Sequence, residues 1–192
     1  VGAIDQDAVR SFYDRSQAML YELMWWHTLA DDLSPLAYVV ALKFAGMHGC
    51  ARYLDFGSGV GSGGILFAHN GFAATLADVS STVLEFSAWR FRQRGLVADH
   101  LDLKERKLPE ASFDIITAMD VFEHLVDPIS TVGELDRALK KGGFLFGRFH
   151  AEMDEDRPHH IVLDFEPTIK ELSSRGFEKI WQDRWLWGHE IY

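Results

Sequence analysis

Between residues 51 and 150 the hydrophobic period of the chain switches back and forth, and this alternation limits the possible folds more than any other feature. Short runs rich in β-branched or aromatic residues (ARYLDF, FAATLADV, FDIITAMDV and GFLFGRFH) are separated by helical spacing over 62–69, 81–94 and 128–140. Parallel neighbours need a crossover long enough to hold a helix, so strands and helices alternating at this spacing predict a parallel sheet covered on both faces. The helix over 128–140 ends in basic residues followed by Gly142 and Gly143, which read as its stop.

The flanks have other rhythms. Apolar residues recur at helical spacing from Ile4 to about Met47, broken near DDLSPL, where Ser34 and Pro35 read as an N-cap and first helical position. The tail predicts a helix with Pro167 near its start and Gly176 as its stop, then two strand-like runs, FEKIWQ and RWLWGHEIY. Strands this close in sequence can pair only as an antiparallel hairpin. Trp185 and Trp187 alternate onto one face of the last run, while Trp25 and Trp26 belong to the amino-terminal helices. No repeat or linker interrupts the chain, so one domain is expected over 1–192, with a helical cap over 1–48 and an α/β core over 49–192.

Composition narrows the partners. A 192-residue chain with 47% hydrophobic and 25% charged residues can bury a sizeable core, and no apolar run is long enough to cross a bilayer. A formal net charge of -10 opposes nucleic acid binding, which draws most of its non-specific affinity from Lys and Arg neutralising phosphates. Cys50 is the single cysteine, so an internal disulfide is excluded and a reducing, cytoplasmic setting is expected. The chain begins at Val1 rather than at methionine, so targeting cannot be judged from it.

The stretch YLDFGSGVGSGG follows the first strand-like run directly. In an open parallel sheet, ligands bind beyond the carboxyl ends of the strands, so these glycines predict close approach of backbone to ligand. Gly59, Gly61 and Gly64 satisfy the dinucleotide spacing G-x-G-x-x-G. Asp55 points elsewhere, because a carboxylate two residues before the first glycine repels a pyrophosphate and can pair with an ammonium group. Asp78 ends the next run, where an acidic side chain can accept hydrogen bonds from both ribose hydroxyls. The expected ligand has a ribose and a cationic end.

Taken with TLADVS, DHLDL, FDIITAMDVFEHLVDP and LKKGGFLFGRFH, the glycine stretch resembles the ordered motifs of class I S-adenosylmethionine-dependent methyltransferases, from about Tyr53 to His150. The resemblance implies a Rossmann-like, doubly wound sheet of seven strands, mostly parallel with an antiparallel carboxyl-terminal strand. It implies S-adenosylmethionine as cofactor and S-adenosylhomocysteine as product. Asp55 and the loop from Gly57 to Gly61, with Ser58 and Gly59, would hold the methionine part, Asp78 the ribose, and Asp102 with Leu103 the adenine, with Val79 also at the cofactor. Met119 and Asp120 would line the other side. The segment FYDRSQAMLYELMWWH is similar to the one that covers the cofactor in many small-molecule methyltransferases, with Tyr13 and Tyr21 at the suggestive positions. An aromatic face over a sulfonium gains on the order of 0.5 to 2 kcal/mol; plain packing of these rings on the sheet is the alternative.

Methyl transfer from a sulfonium is a direct displacement, so the protein must chiefly align an acceptor and exclude water, and a base is needed only for a protonated nucleophile. His124, in DVFEH after the fourth strand, is the candidate base, and His150 ends the fifth strand at the same edge. His159 and His160 follow in a polar loop, where a solvated or hydrogen-bonded role is the alternative. Asp120, Glu123 and His124 with His150 or His159 have metal-ligand types, but the E-x-x-E-H motif of some similar methyltransferases here begins with the shorter Asp, so no metal is assigned. The resemblance thus implies an enzyme that methylates oxygen, nitrogen or carbon of a small molecule, without nucleic acid or membrane partners. Alternatives are a catalytically silent sensor or partner domain, a nicotinamide-dependent oxidoreductase that would use the glycines and Asp78, and an aminopropyl transferase.

Overall fold

The computed structural model describes residues 5–28, 34–149, 160–183 and 188–192. Seven strands form one sheet: β1 (Arg52–Phe56), β2 (Ala73–Asp78), β3 (Asp99–Asp102), β4 (Phe113–Ala118), β5 (Leu139–Gly147), β6 (Trp181–Gln182) and β7 (Glu190–Ile191). Their order is β3-β2-β1-β4-β5-β7-β6. The first five strands pair in parallel, and β7 lies antiparallel between β5 and β6. The expected doubly wound sheet with an antiparallel last strand is therefore present. Its order reverses between β1 and β4, which opens a crevice at their carboxyl ends.

Side chains alternate across the sheet and build two cores. Tyr53, Ile115 and Phe146 face α3 (Ser34–Met47), α4 (Ser62–His69) and α5 (Ser81–Gln93), meeting Tyr38, Ala41, Phe67 and Phe91. The neighbouring Leu54, Ile116 and Leu145 face α6 (Pro128–Ala138) and α7 (Glu166–Ser174), meeting Val132, Leu135 and Leu172. Strands covered on both faces read as near-continuous apolar runs, the pattern seen in the sequence. Two further helices, α1 (Gln6–Arg15) and α2 (Gln17–Thr28), lie over the crevice end.

One boundary departs from the sequence reading. The helix predicted to reach residue 140 stops at Ala138, and Leu139 is already extended at φ -69° and ψ 144°. Leu139 pairs with Phe113, and Lys140 Nζ donates to Asp114 Oδ1 at 2.6 Å, so tertiary pairing outweighs the local helical signal. Gly142 and Gly143 consequently lie inside β5, near the register shift with β4. The hairpin contributes only two residues from each strand; Trp185 and Trp187 lie outside the described residues.

Close contact between α4 and the sheet depends on Gly64. A Cβ there would lie 2.7 to 2.8 Å from three side-chain carbons of Leu76, which is fully buried. Overpacking costs about 1–3 kcal/mol, more than the ~1 kcal/mol that alanine gains over glycine within a helix. Gly64→Ala should therefore lower unfolding stability in urea, with the midpoint falling and the slope unchanged.

Candidate functional site

A cavity of about 690 Å³ occupies the crevice. Its floor is the β1–α4 loop with Gly57 and Gly59, one wall is Asp78, Val79 and Leu103 after β2 and β3, and the opposite wall is Asp120, Val121 and His124 after β4. Val9 and Tyr13 of α1, with Met19 and Leu23 of α2, form the roof. Gly59 has φ +49°, and a Cβ on it would come within 3.2 Å of Leu23, so a side chain there would strain the backbone and press on the roof.

The floor is held by its own hydrogen bonds. Gly57 N and Ser58 N donate to Ala77 O at 2.8 and 3.1 Å, and Gly61 N donates to Ser58 O at 2.9 Å. Gly59 N donates to Asp78 Oδ2 at 2.9 Å, and Gly64 N to Asp55 Oδ2 at 2.9 Å. Five N–H groups of the loop and the first turn of α4 thus end on carbonyls and carboxylates of the chain itself, where a phosphate could not claim them.

Asp78 reaches both the loop and α5, since its Oδ1 accepts from Ser80 N at 2.9 Å. Each oxygen keeps accepting capacity toward the cavity, because a carboxylate has about four lone-pair sites. Burial raises its pKa, against the lowering effect of the backbone donors at Ser80, Gly59 and Val79 and of the Lys104 ammonium. Tyr13 is pushed up to about 12, mainly by burial and then by Glu123, Asp78 and Glu22, so it presents a neutral ring. Asp120 has a left-handed backbone at φ 49°, and its Oδ1 accepts from Arg148 Nη1 at 2.8 Å; the Arg148 side chain is only 3% exposed.

His124 packs edge-on to Tyr13 at 6.1 Å between ring centroids and to His160 at 5.0 Å. His160 arrives because Ile161 N and Val162 N donate to the carbonyl of Glu123, at 2.8 and 3.1 Å. Among the described residues, Glu123, His124 and His160 form a group whose ligand atoms all lie within 4.8 Å, donors that suit a divalent cation. His160 is thus the histidine from the later loop that joins His124, while Asp120 is engaged by Arg148.

The structure therefore brings Tyr13, Gly57, Gly59, Asp78, Val79, Leu103, Asp120 and His124 around one cavity. Four other candidates stand behind its walls. Ser58 and Met119 are buried, and Asp102 turns to Ser81 Oγ at 2.8 Å and Lys104 N at 2.9 Å. Asp55 is fully buried, because it shares its strand face with Tyr53 and so points under α4, where it accepts from Gly64 N, Thr117 Oγ1 at 3.2 Å and Tyr38 OH at 3.5 Å. His150 and His159 lie outside the described residues, and Tyr21 is 74% exposed. Sequence reasoning missed Lys104, Asp14 and Arg148; a lone charge carries no local pattern that marks such a role.

Comparison with known proteins agrees with the fold. Residues 54–145 match the family model described as a methyltransferase domain. The chain is 32% identical over 133 residues to the ubiquinone biosynthesis O-methyltransferase of Aromatoleum aromaticum, covering 64% of this chain and 55% of that protein. It is 28% identical over 133 residues to the Pseudomonas aeruginosa protein of the same name, covering 64% and 56%. The chain thus matches little more than half the length of these curated relatives. Among solved structures, magnesium protoporphyrin IX methyltransferase from Synechocystis PCC 6803 with bound SAH superposes with a TM-score of 0.75 at 14% identity, over 98% of this chain and 97% of that one. The cyclase SpnF superposes at 0.73 with 22% identity, over 95% and 76%.

Burial raises the Asp55 pKa to about 7, against the lowering effect of bonds from Gly64, Thr117 and Tyr53. The unfolded carboxyl titrates near 3.9, so between about pH 4 and pH 7 the folded state binds the extra proton. The stability contributed by protonated Asp55 is complete below that window and is lost as pH rises through about 7. Asp55→Asn has no proton to lose, so its melting temperature relative to wild type should climb between pH 5 and pH 8; a constant difference would contradict this titration.

Proposed function

We propose, from the premise that residues 54–145 match a methyltransferase domain, that the cavity holds S-adenosylmethionine and directs methyl transfer to an oxygen of a small molecule. The observation that carries this reading is the internal bonding of the glycine loop. A pyrophosphate needs free N–H groups and cationic surroundings, whereas this loop has given five donors away, two of them to carboxylates. A ligand with ribose hydroxyls, an apolar base and a cationic centre matches Asp78, Leu103 and the carboxylate-lined wall better than NAD does. The oxygen acceptor is favoured by relatives named as O-methyltransferases.

The lining residues are of the types that such a cofactor needs. Asp78 can accept from both ribose hydroxyls while keeping its bonds to Gly59 and Ser80, and Val79 and Leu103 offer apolar contact beside it. Tyr13 can lay a neutral ring toward a sulfonium. When bound, S-adenosylmethionine supplies an electrophilic methyl group. The chain's share is to align the acceptor, exclude water beneath α1 and α2, and take the acceptor's proton. His124 lines the cavity wall, packs edge-on against Tyr13 and His160, and would take that proton.

Two outcomes check this reading. Asp78→Ala should weaken S-adenosylhomocysteine binding roughly tenfold or more, because charge-assisted hydrogen bonds are lost, and Asp78→Asn should fall between. An unchanged dissociation constant would remove Asp78 from the site. With an oxygen acceptor in hand, His124→Gln should lower turnover about a hundredfold and abolish the acidic limb of the rate profile while leaving cofactor affinity intact. A retained acidic limb would make His124 a packing residue.

A further inference from the structure

The roof of the cavity is fastened to its walls by a small polar cluster outside the cavity. Asp14, near the end of α1, accepts from Lys104 Nζ at 2.8 Å and from Ser81 N at 3.0 Å through its Oδ1. Its carbonyl accepts from Thr82 Oγ1 at 3.3 Å. The same Lys104 ammonium donates to Val79 O at 2.7 Å and Ser81 Oγ at 2.8 Å, and lies 3.4 Å from Asp102 Oδ2. One side chain thereby joins the exits of β2 and β3, the start of α5 and the roof.

Local sequence leaves a place for this contact. Ser80, the N-cap residue of α5, makes no side-chain capping bond, although its own N–H is held by Asp78. The carboxylate at the first turn of α5 comes instead from Asp14, 67 residues earlier in the chain. A carboxylate at a helix amino terminus is favoured by the orphan N–H groups and the helix dipole. Here that capping exists only while α1 lies on the core. Among the described residues α1 contributes none to the two buried cores, and its Phe12 is 44% exposed.

The cluster is also continuous with the proposed nucleoside wall. Residues 78–81 run from the carboxylate assigned to the ribose, through a carbonyl held by Lys104, to the N–H held by Asp14. Asp14 itself is absent from the cavity lining, whereas Tyr13 beside it is part of that lining. The hydrogen bond from Lys104, followed by that from Ser81 N, holds the Asp14 carboxyl below its usual range, in keeping with a formed ion pair.

We propose that Asp14 and Lys104 are positioning residues that latch α1 over the nucleoside end of the cavity, so that ligand release requires this ion pair and trans cap to open. The inference rests on the nucleoside reading above for its ligand and on the contacts alone for its latch. An exposed pair is screened by salt, so release should depend on ionic strength through these two residues.

The test combines stopped-flow release of S-adenosylhomocysteine with hydrogen exchange on the ligand-free protein, comparing wild type with Asp14→Ala, Lys104→Met and the double variant. The latch predicts release about three to ten times faster in each single variant, little change in association, and a double variant no faster than the faster single. It also predicts that salt speeds release from wild type but not from the variants. In the free protein, exchange over residues 6–15 should rise while β1 and β4 stay protected, which separates an open roof from a failed fold. Unchanged exchange over 6–15 in both single variants would overturn the latch whether or not the ligand binds. If wild type fails to bind S-adenosylhomocysteine while that exchange still rises, the nucleoside reading falls and the latch stands.

Discussion

Two carboxylates beneath and beside the glycine loop set the character of the site. Asp55 takes the N–H of Gly64 from below, and Asp78 takes the N–H of Gly59 from the side. These bonds fix the loop against α4 and β2, and they also remove donors that a diphosphate would need. The same contacts therefore shape the cavity floor and, in the proposed function, disfavour a diphosphate there. Close packing makes this arrangement possible, since α4 reaches the sheet only where Gly63 and Gly64 leave room for Tyr38, Asp55 and Leu76.

Charge is distributed accordingly around the cavity. Asp78 and Asp120 stand on opposite walls, and each has a fixed partner that limits its freedom. The Arg148 guanidinium, buried at the end of β5, neutralises Asp120 and holds it in a backbone conformation that non-glycine residues rarely adopt. His124, Glu123 and His160 gather beyond it, with one ligand atom of each within 4.8 Å of the others. The fold itself does not specify chemistry: neighbours with TM-scores of 0.75 and 0.73 carry the names of a methyltransferase and a cyclase.

Much of this was legible in the sequence where the cause is local. The switching hydrophobic period gave the parallel sheet, and the closeness of the last two strands gave the antiparallel hairpin. Asp78 was readable as a wall residue because it ends a strand at the functional edge. Asp55 was legible as important, but its place was not, since the alternation of β1 aims it under α4. The early end of α6 depends on pairing of Leu139 with Phe113 and of Lys140 with Asp114, partners more than twenty residues away. The Asp14–Lys104 contact spans 90 positions, and His160 reaches His124 through the Glu123 carbonyl; neither leaves a local pattern.

The central claim is that the cavity takes an S-adenosyl nucleoside rather than a dinucleotide. Calorimetric titration of the wild-type protein with S-adenosylhomocysteine, run in parallel with NAD, tests it most directly. Saturable binding of S-adenosylhomocysteine at one site, with no heat from NAD, is the predicted result. Binding of NAD alone would contradict the account, because the internally bonded loop would then have to give up the donors that define it.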